Sequence, residues 1–248
     1  MKNQKLVYGF HAISSFVRTN AKLISSIFID EERQDQRLKN FLKSLDDKNI
    51  KYHFYNKQRL DKLLPNTKHQ GVIALISQKN ESFFAIEDIV EKDYKIDPLF
   101  LILDGIEDPH NLGASFRVAD AMGVNAIISP KDNAVGINAT VRNVACGATE
   151  SVPFVNVTNL KRAIDYLKQN HFIIIGTEQE TKNSLYKTDL NGPLALIMGS
   201  EGSGMRRLTR ESCDLLISIP MMGSVESLNV SVATGICLSE IQRQRQLP

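Results

Sequence analysis

Five largely apolar runs in the second part of the chain constrain the fold more than any other sequence feature. The first, Leu99–Leu103, contains no polar residue, which is typical of a strand buried on both faces of a parallel sheet. Comparable runs follow at Val124–Ile128, Phe172–Ile175, Leu194–Met198 and Leu215–Ile219. Helical patterns lie among them, at Leu112–Met122, Leu160–Gln169 and Val230–Arg245. The alternation predicts a parallel α/β domain over residues 99–248.

The first third of the chain shows shorter elements that also alternate. Strands are predicted at Leu6–Gly9, Leu23–Ile29, Ile50–Tyr55 and Gly71–Ile76. Helices are predicted at His11–Arg18, Asp35–Leu45 and Lys57–Leu63. Together they indicate a small α/β domain over residues 1–76. Residues 77–98 have few apolar residues apart from Phe83–Ile86, and we interpret them as a linker.

Composition narrows the class of protein. Hydrophobic residues make up 42% of the 248 residues, which is enough for a buried core. No apolar run approaches the ~18 residues that a membrane-spanning helix needs, so we expect no membrane association. The first residues lack the apolar core of a signal peptide. Cys146, Cys213 and Cys237 are scattered, which favours reduced thiols in a cytoplasmic protein over disulfides or a metal site.

The charge of the chain is unevenly distributed. Residues 1–76 carry 14 Lys and Arg against 7 Asp and Glu, a net charge of +7. Residues 77–98 have a net charge of −3 and residues 99–248 of −2. A basic first third is what an anionic partner such as nucleic acid favours, and an ordinary solvated surface explains it equally well.

Three loops after predicted strands contain the residues that could take part in binding or catalysis. Asp104–Arg117 contains Asn111 and Arg117. Either they are site residues, or Asn111 is a helix N-cap and Arg117 a solvated helix residue. Gly199–Met205 has three glycines, which allow a sharp turn and a close approach to a ligand. Pro220–Asn229 leads into the last helix, which Ser227 or Asn229 could simply cap.

Several common sites are excluded by missing motifs. The chain has no Gly-Lys dipeptide, so it has no Walker-type phosphate loop, and no Gly-x-Gly-x-x-Gly opens a helix. A Gly-x-Ser-x-Gly nucleophile elbow is also missing, and the histidines lack metal-ligand spacing. Glu201 in the glycine-rich loop would repel a phosphate. A nucleotide polyphosphate ligand is therefore disfavoured, and so is a dehydrogenase.

Taken together, the three loops resemble the three motifs of the SPOUT-class RNA ribose methyltransferases of the TrmH family. The matching segments are Asn111–Arg117, Met198–Gly202, and Ile219–Met221 with Ser227–Ala233, and their order and spacing agree over residues 99–246. Val7–Ala12 and His69–Val72 resemble the small L30e-like domain that binds substrate in part of this family. That two-domain arrangement is similar to the members that methylate a guanosine in the peptidyl-transferase P loop of 23S rRNA.

The resemblance implies a fold, a cofactor and partners. The catalytic domain would be an α/β knot in which the chain forms a deep trefoil knot, a feature that periodicity does not reveal. S-adenosylmethionine would be the methyl donor, held by Thr177, Gly199, Ile219 and Leu228, with no metal. The substrate would be 23S rRNA. The protein would act as a cytoplasmic homodimer. The apolar stripe Val230, Ala233, Cys237 and Ile241 would lie partly in the core of its own domain and partly at the interface.

The resemblance also implies the catalytic residues. They would be Asn111, Arg117, Glu201, Ser227 and Asn229. In the family this arginine is often assigned as the general base. Because a guanidinium stays protonated near neutral pH and is a poor proton acceptor, we favour the alternative that Arg117 binds phosphate and stabilises the developing alkoxide. Glu201 would orient Arg117, and Ser227 and Asn229 would position the loop and the ribose. A methyltransferase for another rRNA or tRNA site, or a non-catalytic RNA-binding assembly factor, remains an alternative.

Overall fold

The chain folds into two compact units, residues 1–82 and 83–248. The structure is a computed structural model and describes residues 4–19, 21–65, 67, 69–77, 84–179, 181–225 and 227–246. Each unit has a sheet and an apolar core of its own. No helix in these ranges is long and apolar enough to span a membrane.

The first unit is a small α/β sandwich, with elements numbered in chain order. Its described strands are β1 (Gln4–Tyr8), β2 (Ile24–Asp30), β3 (Tyr52–Tyr55) and β4 (Val72–Ser77). Its helices are α1 (Phe10–Thr19), α2 (Gln36–Asp46) and α3 (Lys57–Leu63), with a 3-10 turn at Ala21–Leu23. The strand order is β1-β4-β2-β3, with β2 parallel to β3 and antiparallel to β4. Ile27 and Ile29 of β2 share the core with Leu38 and Phe41 of α2.

The second unit contains the larger sheet. Its described strands are β5 (Leu99–Asp104), β6 (Ala126–Pro130), β7 (Phe154–Val157), β8 (Ile173–Thr177), β9 (Leu194–Gly199) and β10 (Leu215–Ile217). Its helices are α4 (Ile86–Val90), α5 (Pro109–Ala121), α6 (Ala139–Ala145), α7 (Leu160–Gln169), α8 (Arg207–Glu211) and α9 (Val230–Gln246). Short 3-10 turns lie at Ala148–Glu150 and Leu185–Lys187.

Helices cover both faces of this sheet, whose strand order is β10-β8-β9-β5-β6-β7 with every pairing parallel. Leu99, Leu101 and Leu103 of β5 pack with α5, α6 and α9 on one face. Phe100 and Ile102 pack with α4 and α7 on the other. All six residues of β5 are therefore buried, which explains the uninterrupted apolar sequence of the first five, Leu99–Leu103. The predicted parallel α/β fold is confirmed.

Two segments differ from the sequence-based expectations. Residues 77–98, interpreted as a linker, include α4, whose Ile89 is only 2% exposed in the core of the second unit. The stripe on α9 packs inward, since Val230, Cys237 and Ile241 are buried and Ala233 contacts the same cluster. The three buried residues of the stripe are therefore intramolecular core, as expected for part of it, whereas Ala233 is only partly buried. The knotted path of the chain stays a prediction.

Candidate active site

A cleft opens where β8 and β9 end and where the chain continues beyond β10. It holds about 960 Å³ of empty space, part of which is open to solvent. The ends of parallel strands are where α/β sheets place ligands, because the loops that follow adjacent strands diverge there. The lining residues are Thr177–Gln179, Met198–Gly204, Ile219, Met221, Ser227, Leu228, Val230 and Ala233.

All four residues predicted to bind the cofactor lie in this lining. Thr177 is half-buried at the end of β8, where its hydroxyl donates to the Ile197 carbonyl at 3.1 Å. Gly199 ends β9, and Ile219 and Leu228 come from the third loop. The structure thus brings together residues from three separate parts of the sequence.

The glycine-rich loop after β9 is tightly closed. A Cβ on Gly199 would lie 2.3 Å from the carbonyl carbon of Gly204 and 2.4 Å from the backbone nitrogen of Met205, so only glycine fits without rearrangement. Ser200 and Gly204 exchange backbone hydrogen bonds of 3.0 Å in both directions. This turn places Glu201 at the edge of the cleft.

A polar cluster joins all three predicted motifs beside the cleft. Asn229 Nδ2 donates to Asn111 Oδ1 at 2.9 Å and to Glu201 Oε1 at 2.5 Å. The same Glu201 oxygen accepts the backbone N–H of Val230 at 3.2 Å, at the first residue of α9. A carboxylate that accepts from an amide and from a helix N-terminal N–H is a charge-assisted link between two loops. Glu201 and Asn229 therefore fix the glycine-rich loop against α9.

Asn111 lies inside the first turn of α5, whereas Asn229 precedes α9 and caps it. Asp108, not Asn111, caps α5, since its side chain accepts the N–H of His110 at 2.9 Å. Asn111 is 8% exposed within the first turn, where its amide is free to contact Asn229. Asn229 caps α9 with its Oδ1, which accepts the N–H of Ser231 at 3.0 Å, and uses its Nδ2 for the polar cluster.

The other two predicted catalytic residues lie outside this cluster. Ser227 is exposed in the cleft lining. Arg117 is exposed on α5, about 9 Å further along the helix axis than Asn111, and makes no hydrogen bond or ion pair with any described residue. Glu201 is bonded to Asn229 and Val230, so the expected pairing of Glu201 with Arg117 is not present in this structure.

Two polar groups near the cleft were missed by the sequence analysis. Glu178, next to Thr177 in the lining, pairs with Arg210 of α8 at 2.7 Å. Asp104 ends β5 and accepts the N–H of Arg206 at 2.9 Å. Asp104 directly follows the predicted strand Leu99–Leu103, and Glu178 lies three residues after the predicted strand Phe172–Ile175. A position just beyond a strand end is the signal that could have singled them out.

The chemistry of the lining fits S-adenosylmethionine. The described lining residues include two carboxylates and no Lys, Arg or His, which suits a cationic sulfonium and not a polyphosphate. Met198, Ile219, Leu228 and Val230 provide apolar walls, and the glycine-rich loop provides backbone polar groups. Among the described residues, no group of His, Cys, Asp or Glu could hold a metal ion.

Comparisons with known proteins agree over both units. The profile of the SpoU rRNA Methylase family matches residues 98–239, and a profile described as RNA 2′-O ribose methyltransferase substrate binding matches residues 6–82. The 23S rRNA (guanosine-2′-O-)-methyltransferase RlmB of Neisseria meningitidis serogroup B is 48% identical, with 100% of this chain and 98% of the relative covered. The protein of the same name from Pasteurella multocida is 50% identical over 96% of this chain and 98% of its own length.

A solved structure extends the comparison to the fold. The SpoU methyltransferase AviRb of Streptomyces viridochromogenes, in complex with AdoMet, has a TM-score of 0.76 and 23% identity. The match covers 98% of this chain and 91% of that one. At this identity the likeness supports the fold alone.

Proposed function

Because this chain belongs to the SpoU rRNA methylase family, we propose that it methylates a ribose 2′-hydroxyl of a guanosine in 23S rRNA with S-adenosylmethionine. The observation that carries the proposal is the 48–50% identity, across both units, to relatives named as 23S rRNA (guanosine-2′-O-)-methyltransferases. The cleft beside the Asn111–Asn229–Glu201 cluster supports it, since a donor site and polar groups for a ribose are adjacent.

We propose that the cleft residues act mainly by alignment. The bound donor would supply an electrophilic methyl group on a sulfonium, so the chain's own residues need only place the ribose oxygen in line with it. Thr177, Gly199, Ile219 and Leu228 would hold the donor. Glu201 would keep the glycine-rich loop in place through Asn229 and the Val230 N–H, in contrast to the sequence-based assignment.

Arg117 would act on the RNA. Its guanidinium has no partner among the described residues, so it is available for a phosphate and for the ribose oxygen as the O–H bond breaks. As the ribose oxygen takes the methyl group, the S–CH₃ bond of the donor would break and leave a neutral thioether, and the hydroxyl proton would pass to solvent. Asn111, Ser227 and Asn229 would orient the ribose.

The first unit would capture the RNA. Its net charge of +7 over residues 1–76 and its match to a substrate-binding profile support this role. Acting on ribosomal RNA also supports a cytoplasmic location.

We propose a homodimer, with a different surface from the one that the sequence suggested. Met222, Val225 and Val232 lie before and at the start of α9 and are 97%, 61% and 51% exposed. Exposed apolar side chains of this size favour burial by a partner. Sedimentation equilibrium should show a dimer that Val232→Arg weakens, and a wild-type protein that sediments only as 27.8 kDa would contradict it.

The function is tested with purified protein, labelled S-adenosylmethionine and transcripts of 23S rRNA and tRNA. We expect label at one guanosine of the 23S transcript, with the P-loop hairpin as the first fragment to test. The control is the same fragment with that guanosine replaced by its 2′-deoxy form, which has no acceptor hydroxyl. Label on tRNA alone would favour the other methyltransferase, and donor binding with no transfer to any RNA would favour a non-catalytic factor.

A further inference from the structure

Asp104 is a buried carboxylate for which the proposed chemistry has no use. It is the last residue of β5, is 1% exposed, and lies opposite Gly199 in the register with β9. Taking a carboxylate out of water costs several kcal/mol unless hydrogen bonds and a counter-charge compensate. The contacts of Asp104 therefore show what its burial serves.

Within the part of the chain that the structure describes, the compensation that Asp104 receives comes from one residue, Arg206. Oδ2 accepts the backbone N–H of Arg206 at 2.9 Å. Oδ1 has no hydrogen-bond partner among the described residues and lies 3.6 Å from Arg206 Nε. The guanidinium itself is directed to the Asp132 carbonyl, to which Nη2 donates at 3.2 Å. The strong contact is therefore the one between the carboxylate and the backbone N–H.

Arg206 stands where the glycine-rich loop returns to the body of the unit. The loop leaves β9 at Gly199, closes on itself through Ser200 and Gly204, and reaches Arg206, the residue that precedes α8. Glu201 and most of the lining on this side of the cleft belong to the loop. Its first end is fixed by the sheet and its second end by the Asp104–Arg206 hydrogen bond.

We propose that Asp104 is a positioning residue that sets the shape of the cofactor cleft through the backbone of Arg206. Without this anchor the loop after Gly199 loses its closed turn, and with it the backbone groups and Glu201 that face the cleft. The identity of the ligand rests on the proposed function, whereas the ordering of the loop does not depend on it.

The first test compares Asp104→Asn with Asp214→Asn. In the asparagine variant, either the amide NH₂ faces the Arg206 guanidinium or it faces the Arg206 N–H, and both arrangements weaken the anchor. Asp214 is the control because it also accepts a backbone N–H, that of Ile174 at 2.8 Å, and pairs with a cation, Lys168, at 2.6 Å, while its side chain is partly exposed. It contacts the beginning of β8, away from the cleft.

Two readouts are taken on the full-length chain below the unfolding transition of both variants. Hydrogen exchange of the amides of residues 200–206 should speed up about tenfold in Asp104→Asn, as expected for the loss of a charge-assisted hydrogen bond, and stay unchanged in Asp214→Asn. The Kd and KM for S-adenosylmethionine should rise by a similar factor in Asp104→Asn alone, while kcat changes less.

A second pair of variants isolates the backbone N–H and covers the case in which Asp104→Asn does not fold. Arg206 has φ −60°, which proline adopts, so Arg206→Pro removes the donor without changing the backbone angle. Arg206→Ala removes the same guanidinium and keeps the donor. We expect Arg206→Pro to loosen the loop and Arg206→Ala to leave its exchange near the wild-type rate.

The outcomes separate this inference from the proposed function. Unchanged loop exchange in both Asp104→Asn and Arg206→Pro overturns the positioning role, and so does an equal effect of Asp214→Asn. Equal exchange in Arg206→Pro and Arg206→Ala assigns the effect to the guanidinium and also overturns it. A wild-type chain that does not bind S-adenosylmethionine contradicts the proposed function, and the exchange data still decide the role of Asp104.

Discussion

Asn229 shows how one side chain at the residue scale serves both local and tertiary structure. Its amide oxygen caps α9, and its amide nitrogen contacts Asn111 in the first turn of α5 and Glu201 in the glycine-rich loop. The sequence presented capping and a site role as alternatives, since both favour asparagine at this position. A carboxamide has a donor and an acceptor end, so the two roles are compatible.

The prediction for Arg117 follows from its exposure. Arg117→Ala should lower the single-turnover rate of methyl transfer by about 10²–10³, the range for a group that stabilises charge in a transition state. Donor affinity should be nearly unchanged, because Arg117 is not part of the cleft lining. Arg162→Ala, which removes an exposed arginine from α7 on the other face of the sheet, is the control. A single-turnover rate within about threefold of wild type would contradict the assignment of Arg117 to charge stabilisation.

Gly199 is predicted to tolerate no side chain. In Gly199→Ala the new Cβ would meet backbone atoms of Gly204 and Met205, so either β9 or the loop must shift. We expect a loss of about 1–3 kcal/mol in the free energy of unfolding, measured in urea, together with weaker donor binding. Gly136→Ala is the control, since no atom lies within 4 Å of its Cβ. An equal effect of the two substitutions would contradict the steric argument.

At the scale of elements, the strands of the second unit were predictable because both faces of the sheet are covered. Double-sided burial favours an unbroken apolar run, as at Leu99–Leu103 of β5 and Leu194–Met198 of β9, and such a run can be recognised without tertiary information. The edge strand β7 is only partly buried and its sequence is mixed, so it was missed. The short helices α4, α6 and α8 were missed for a similar reason, since each has one or two buried side chains.

The contacts of the candidate site were less predictable than the elements. Motif order identified residues that the fold gathers at one cleft, but not which pairs touch. The Glu201–Asn229 contact depends on how sharply the glycine-rich loop turns, and the Asp104–Arg206 contact joins residues 102 positions apart. Such distances are set by the packing of whole elements and have no counterpart in local sequence.

Removal of α4 should destabilise the second unit, although its segment resembles a linker in sequence. Ile89 is buried against the sheet, the Tyr94 hydroxyl donates to the Ile89 carbonyl at 2.8 Å, and the Tyr94 ring lies 6.2 Å from that of Phe100. A fragment of residues 97–248 should be about 2–5 kcal/mol less stable than a fragment of residues 83–248, the cost of losing a large buried side chain. Urea denaturation of the two fragments measures this, and equal midpoints would show that α4 contributes nothing.

Glu240, in the C-terminal part of α9, should make the free energy of unfolding depend on pH in the acid range. Hydrogen bonds from Arg243 and then Gln244 lower the pKa of Glu240 to about 2 from its ordinary 4.5. Because the folded pKa lies below the unfolded one, the stabilisation is present above about pH 4.5 and is lost as the pH falls toward 2. The difference in free energy of unfolding between wild type and Glu240→Gln should therefore shrink over this interval.

The control for Glu240 is an exposed ion pair on another helix. Glu211→Gln removes the partner of Arg207 at 3.2 Å, and surface pairs contribute little to stability. A difference for Glu240→Gln that stays constant from pH 6 to pH 2 would contradict the role assigned to its charge.

At the scale of the whole molecule, the division at residues 82 and 83 predicts separate tasks for the two units. A fragment of residues 83–248 retains the whole sheet, α4 and the cleft, so it should fold and bind S-adenosylmethionine like the full chain. It lacks the net charge of +7, so it should lose most of its RNA affinity. The loss should shrink as salt rises. Phosphate contacts bind RNA partly by releasing counterions, this gain falls with salt, and the full chain makes more such contacts than the fragment.

Titration of both proteins with a P-loop hairpin and a scrambled hairpin at two salt concentrations measures this. Equal affinity with and without residues 1–82 would refute the capture role, and an equal loss on both hairpins would limit that role to non-specific attraction.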